Sequence, residues 1–256
     1  MTPALKPIAS INAYSELQAW LNDYCHRAEH ESWHCYGPAD YSNYERSAVR
    51  VMVIGSESMG YGGKGSPPDE YLKWISAGYA TPRYTAVLVS LIKKFSEVQL
   101  TQTSLPIIQK SDVSKLYRDE PHLLSKMAET IYMNARISSN NTGGTKEEGR
   151  AVDSDIKEFA EFRKHYIRIS APDMIICAGQ KAWSALFIDG GAFLPSQAPK
   201  SPVSVIAGRV VVKVAHLSRP NLFGGYVCLV KLAQDAAEAF IETKKNEPNQ
   251  AEHAER

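Results

Sequence analysis

Long apolar runs, clustered cysteines and a surplus of one charge are all missing from this sequence. No stretch approaches the roughly 18 consecutive apolar residues of a membrane-spanning helix, and the first ten residues lack the apolar core of a secretory leader. A soluble, cytoplasmic protein is therefore expected, without a membrane partner. Cysteine is sparse: Cys25, Cys35, Cys177 and Cys228 are scattered, with no C-x-x-C pair. That excludes a disulfide-stapled miniature fold and makes reduced thiols the default. Cys177, in an apolar run, and Cys228, in a helical pattern, both read as small core residues and not as ligands. The 29 Lys and Arg are balanced by 28 Asp and Glu, a net charge of +1. A chain that is polybasic or polyacidic as a whole is thus excluded, although a local positive face for nucleic acid is not.

What is present is an alternation. Among 256 residues, 44% hydrophobic, four short β-rich runs stand out: "VMVI" (51–54), "AETIYMN" (128–134), "DMIICAG" (173–179) and "VVVKVAH" (210–216). Helical patterns lie between and around them, at 85–95, 153–169, 180–187 and about 225–243. Another runs from residue 11 to about residue 30, with Leu17, Trp20, Leu21 and Tyr24 on one face. Strands alternating with helices predict an α/β fold: three layers, α/β/α, around a central, mainly parallel four-stranded sheet. A single domain is expected over 1–243, its first 47 residues a helical extension, followed by a charged, disordered tail at 244–256. Two long irregular segments, 55–83 and 135–152, have the size of functional or disordered loops. Open parallel sheets bind ligands at the carboxyl ends of their strands. There this sequence places Glu57, Asn134, Gly179 and His216.

Two other patterns carry less. Gly60-Tyr61-Gly62-Gly63-Lys64-Gly65 satisfies G-x-G-x-x-G, but it starts five residues past Gly55 and runs into Pro67-Pro68. The tight strand-to-helix turn of a dinucleotide site, and a second strand with its acid, are missing from their places. The phosphate-loop pattern fails as well, with Ser58 for its first glycine and Gly65 for its hydroxyl residue. His26, His30 and His34 fall at i, i+4 and i+8 beside Cys25 and Cys35. Two such histidines can share one zinc. Three cannot do so from one straight helix, since eight residues rise about 12 Å. A site would need a distant ligand or an unwound helix end, so solvated or hydrogen-bonded histidines are the simpler expectation, and no metal is predicted.

Taken in order, the four strand-end segments resemble the uracil-DNA glycosylase superfamily over about residues 48–240. "VIGSES" matches its first motif, an apolar strand and then Gly-x-acid, with Glu57 at the position that handles the attacking water. "IYMNARI" matches the strand ending in a base-reading Asn, here Asn134, and "APDMIICAGQKAWSAL" fits the middle of the family pattern. "VAHLSRPNLFGGY" resembles the final His-Pro-Ser motif, with His216 and Ser218. There are departures: Ser58 and Leu217 stand where the family has proline. Met59 stands where some members carry a Tyr that shuts out substituents at pyrimidine C5. An iron–sulfur cluster on four cysteines, present in some members, is not expected, because only Cys25 and Cys35 lie in the right region. No cofactor is expected.

The resemblance implies a DNA glycosylase. Glu57 would orient water and stabilise the sugar cation, and His216 would hydrogen-bond the leaving base as it becomes an anion. Asn134 would read the base edge. Tyr61, Tyr79 or Tyr84 would stack on the flipped base, with Met59 beside it. Leu222 or Phe223 would fill the vacated stack, and Ser218 and Arg219 would contact phosphate. Taken singly, each of these residues also suits a plain structural role; it is their position at successive strand ends that favours a site. A glycine-rich loop in place of a bulky gate implies a C5-substituted pyrimidine, such as a hypermodified cytosine of phage DNA, with plain uracil as the conservative substrate. DNA is the expected partner of a monomeric enzyme. The rival reading is a non-catalytic module that holds DNA or a nucleotide in the same cleft, and the two missing prolines favour it.

Overall fold

A computed structural model describes residues 5–30, 33, 37–55, 70–101, 106–138, 153–187, 201–214 and 226–254, with side chains for all of these except 226, 227 and 247–254. The β-rich runs become β1 (Val51–Gly55), β2 (Ile131–Asn134), β3 (Met174–Ala178) and β5 (Arg209–Val214). β1 pairs in parallel with β2 and β3, and β3 with β5. The first three strands are buried along their whole length, which is why they read as continuous apolar runs and not as alternating ones.

The sheet has five strands, in the order β2-β1-β3-β5-β4, where the sequence predicts four. The addition is β4 (Val203–Ile206), an edge strand antiparallel to β5. Only Ile206 of its four residues is buried and Val205 is half exposed. A strand wet along one side carries no apolar run, and that is why it escapes the sequence pattern. Ala207 and Gly208, both at positive φ, turn β4 directly into β5.

The helices are α1 (Tyr14–Arg27), α2 (Tyr41–Arg46), α3 (Glu70–Ser76), α4 (Ala80–Leu100), α5 (Lys110–Arg118), α6 (Glu120–Ala128), α7 (153–158), α8 (Ala160–Ser170), α9 (Gln180–Phe187) and α10 (Tyr226–Ala254). Strand alternation divides them into two layers. Val51 and Val53 face α3 to α6 and α10, whose Ile75, Val87, Phe95, Met127 and Phe240 join one core. Met52 and Ile54 face the other core, built from Leu17, Leu21 and Cys25 of α1, Tyr44 of α2, and Phe162 and Tyr166 of α8. The three-layer α/β/α architecture is therefore present, and the N-terminal helices form part of one covering layer. α1 ends at Arg27, three residues short of the expected end, and the chain turns through Glu29 at positive φ. At the other terminus the helix expected to stop near residue 243 continues to Ala254.

Charges tie the amino edge of the sheet. Asp173, just before β3, accepts from the Arg50 backbone N–H (3.0 Å), Nε and Nη2 (both 3.1 Å), just before β1. Lys244 of α10 pairs with the same carboxylate at 3.2 Å. Among the described residues no helix is long and apolar enough to cross a membrane.

Candidate functional site at the carboxyl edge

Parallel pairing brings Gly55, Asn134, Ala178 and Val214 to a common edge, with Gly55 level with Asn134 and Ala178 level with Val214. Asn134 is the one of the four with a polar side chain, and it is 1% exposed. Alternation along β2 puts Tyr132 on the same face, where its ring stacks on Tyr71 of α3 with centroids 3.8 Å apart. Gly55 lies opposite this pair. A Cβ there would collide with the Tyr132 hydroxyl and sit 2.6 Å from Asn134 Oδ1. Only a bare backbone admits both polar atoms, which is a local reason for glycine at the end of β1.

The chain beyond Asn134 is pinned from three sides. The Ala135 N–H donates to the Gly55 carbonyl (2.8 Å), and the Ala135 carbonyl accepts from Arg163 Nη1 (2.8 Å). Asp155 accepts the N–H groups of Ile137 and Ser138 at 2.7 and 2.8 Å. Arg163 is fully buried, and its Nε and Nη2 have no hydrogen-bond partner among the described residues. Burial pulls its pKa down to about 10, against the opposing charge of Asp155. Burial likewise raises the Asp155 carboxyl, although the donated N–H groups and Arg163 favour its ionised form. Two desolvated charges thus hold the backbone around the one buried amide at the strand ends, an arrangement that costs stability unless both remain.

Gly179 follows β3 at φ +104°, donates its N–H to Val214 (2.8 Å) and opens α9 by accepting the Trp183 N–H. Lys213 of β5 holds its Nζ 4.8 Å above the Trp183 ring, which places a cation beside the N-terminal turn of α9.

The expected site residues fare unevenly. Asn134 stands where the sequence puts it. Tyr79 and Tyr84 are at the start of α4, while Lys93, three turns along, reaches Ser47 ahead of β1 and the Glu129 carbonyl ahead of β2. The start of α4 therefore points towards the carboxyl edge. Tyr79 is 61% exposed, however, and the ring of Tyr84 packs against Tyr117 at 4.8 Å. The ring that shares the Asn134 face is Tyr132. Glu57, Met59, Tyr61, His216, Ser218, Arg219, Leu222 and Phe223 lie outside the described residues. The sequence reading does not reach Tyr132, Asp155 or Arg163, and Cys228, expected in the core, is exposed on α10 while Cys177 is buried. A period of two back from Asn134 would have found Tyr132; Asp155 and Arg163 sit in helical patterns that give no such signal.

Elsewhere, His26 is exposed and His30 binds Glu158 (2.8 Å) beyond the end of α1, while His34 and Cys35 are outside the described residues. Among the described residues no three His, Cys, Asp or Glu gather as metal ligands. A cavity of about 520 Å³ between α4, α5 and α6 is lined by charges of both signs, among them Lys94, Lys115, Asp112 and Asp119. Its lining holds none of the strand-end residues.

Fold and site together define a three-layer α/β/α protein with a mainly parallel sheet and a buried amide at its carboxyl edge. No protein-family model and no curated protein matches the chain.

Proposed function

We propose that this protein is a DNA glycosylase that hydrolyses the N-glycosidic bond of a flipped pyrimidine, preferring a base substituted at C5. The observation that carries the reading is Asn134, a buried amide beside bare Gly55 at the end of β1, the strand that leads to Glu57. Glu57 and His216 follow Gly55 and Val214 by two residues each, a reach of at most about 7 Å. Neighbouring strands lie about 4.8 Å apart. With the order β2-β1-β3-β5, the strand ends Asn134, Gly55 and Val214 therefore follow one another along about 14 Å of one edge.

Each group has work suited to its chemistry. Asn134 offers a donor and an acceptor to the base edge. Glu57 orients a water against C1′ and stabilises the developing sugar cation. As the bond from C1′ to the base breaks, its electron pair passes to the base, and His216 donates to the base oxygen that takes up the charge. Met59 and the glycines that follow it leave space beside C5, which favours a hypermodified cytosine of phage DNA over plain uracil. The reading is tested on matched DNA duplexes carrying uracil, 5-hydroxymethylcytosine or its glucosylated form, scored for abasic sites. Abasic sites in the substituted DNAs are expected. Activity on uracil alone would keep the glycosylase and discard the C5 preference, and three intact DNAs would overturn the enzyme. The Glu57→Gln variant should lose base release about 100-fold or more while still binding DNA; binding without release in wild type and variant alike would favour the non-catalytic module.

A further inference from the structure

Away from the carboxyl edge, the cavity of about 520 Å³ between α4, α5 and α6 has the size of a small-molecule site, and the glycosylase reading makes no use of it. Its shape follows from one residue. Asp119 ends α5 and begins α6, so the two helices form a hairpin with a single-residue corner. That corner sits at the start of α4, where the Tyr117 ring packs on Tyr84 (4.8 Å) and Glu120 pairs with Arg83 (3.0 Å). Further along α4, Lys126 of α6 comes within 4.0 Å of Glu97. The floor between the helices is apolar, with Leu91 buried and Ile108 and Leu116 half-buried.

The walls carry charges of both signs, but these are not equally engaged. Asp112 Oδ2 accepts the Gln109 N–H (2.9 Å) and Asp119 Oδ1 the His122 N–H (3.3 Å). Each acid thus caps a helix whose N-terminal dipole offsets its charge. Glu97 has Lys126. By contrast, the Lys94 ammonium and the His122 ring make no hydrogen bond or ion pair among the described residues. A free cation and a free imidazole therefore stand over an apolar floor.

We propose that this cavity binds a small organic anion, a carboxylate or phosphate monoester with an apolar body. The charged group meets Lys94 and His122, where it gains charge-assisted hydrogen bonds, and the body lies on Leu91, Ile108 and Leu116. Such a ligand leaves both helix caps undisturbed. None of the strand-end residues lines the cavity, so this site stands or falls apart from the glycosylase.

Calorimetric titration of the full-length protein with phenyl phosphate, phenylacetate and the neutral 2-phenylethanol tests the proposal. At least one of the two anions should bind saturably at a single site, about 10-fold more tightly than the alcohol. The tighter anion tells phosphate from carboxylate. Lys94 is exposed, so Lys94→Met should keep the wild-type melting temperature while weakening the anion about 10-fold. Lys94→Arg keeps the charge and should restore binding. Binding of neither anion, equal binding of the alcohol, or an anion affinity unchanged in Lys94→Met would each overturn the proposal.

Discussion

Gly55 and Asn134 make the site a problem of single atoms. Replacing Gly55 by Ala sets a Cβ where the Tyr132 hydroxyl and Asn134 Oδ1 already are. Crowding of this kind costs typically 1–3 kcal/mol, and base release should fall at least about 10-fold as Asn134 is displaced; single-turnover assays and denaturant melts of Gly55→Ala measure both. Arg163 sits further from the proposed substrate and should act through the fold. Arg163→Met leaves Asp155 buried without its counter-charge and frees the Ala135 carbonyl. A loss of about 3–5 kcal/mol is expected in urea unfolding, and a loss under 1 kcal/mol would show the pair to be dispensable. Asn134 was legible in the sequence because a polar residue closing an apolar run stands out. Arg163 was not, because a cation inside an amphipathic helix reads as solvated until the packing shows which way it faces.

At the scale of elements, the β4–β5 hairpin carries an avoidable strain. Ala207 at φ 49° and Gly208 at φ 72° form its two-residue turn, the geometry for which Asn-Gly is favoured. An alanine held in the left-handed region costs more than an asparagine there. Ala207→Asn should therefore stabilise the protein by about 0.5–1 kcal/mol, seen as a higher melting temperature with unchanged base release. A lower melting temperature would mean that the side chain at 207 matters for another reason. This turn also explains the missed strand: without Asn-Gly between the runs, and with β4 half exposed, neither the hairpin nor its first strand gives a signal. The buried strands β1, β2 and β3 gave theirs in full.

Across the whole molecule, Asp173 joins β1, β3 and α10 through Arg50 and Lys244. Burial alone would raise its pKa, but the hydrogen bonds from Arg50 and the charges of Arg50 and Lys244 outweigh it and hold the carboxyl below its ordinary value. A carboxyl with a depressed folded pKa contributes stability above its unfolded pKa, about 3.9, and loses it as pH falls through the folded value. Asp173→Asn should thus cost about 1–2 kcal/mol at pH 7, and the gap from wild type should close as pH falls below about 4. Asp155, with its raised pKa, has the opposite sign: protonation favours the folded state, so its contribution weakens as pH rises past the unfolded value. Urea melts of wild type and Asp173→Asn between pH 3 and 7 separate the two; a constant gap would assign the Asp173 effect to packing and not to charge.

By itself the sequence determined the α/β class, the four parallel strands and Asn134 as the end of one of them. Strands buried on both faces must be apolar throughout, and the residue where burial stops is visible in one dimension. Only the tertiary structure decided that β1 lies between β2 and β3, that β4 caps the edge, and that α1 and α2 cover one face of the sheet. It alone set the Tyr132 hydroxyl and the Asn134 amide over Gly55, from a strand some eighty residues away in the chain. Sideways pairing and the filling of a common space are non-local, and local periodicity carries no record of which strand becomes the neighbour of which.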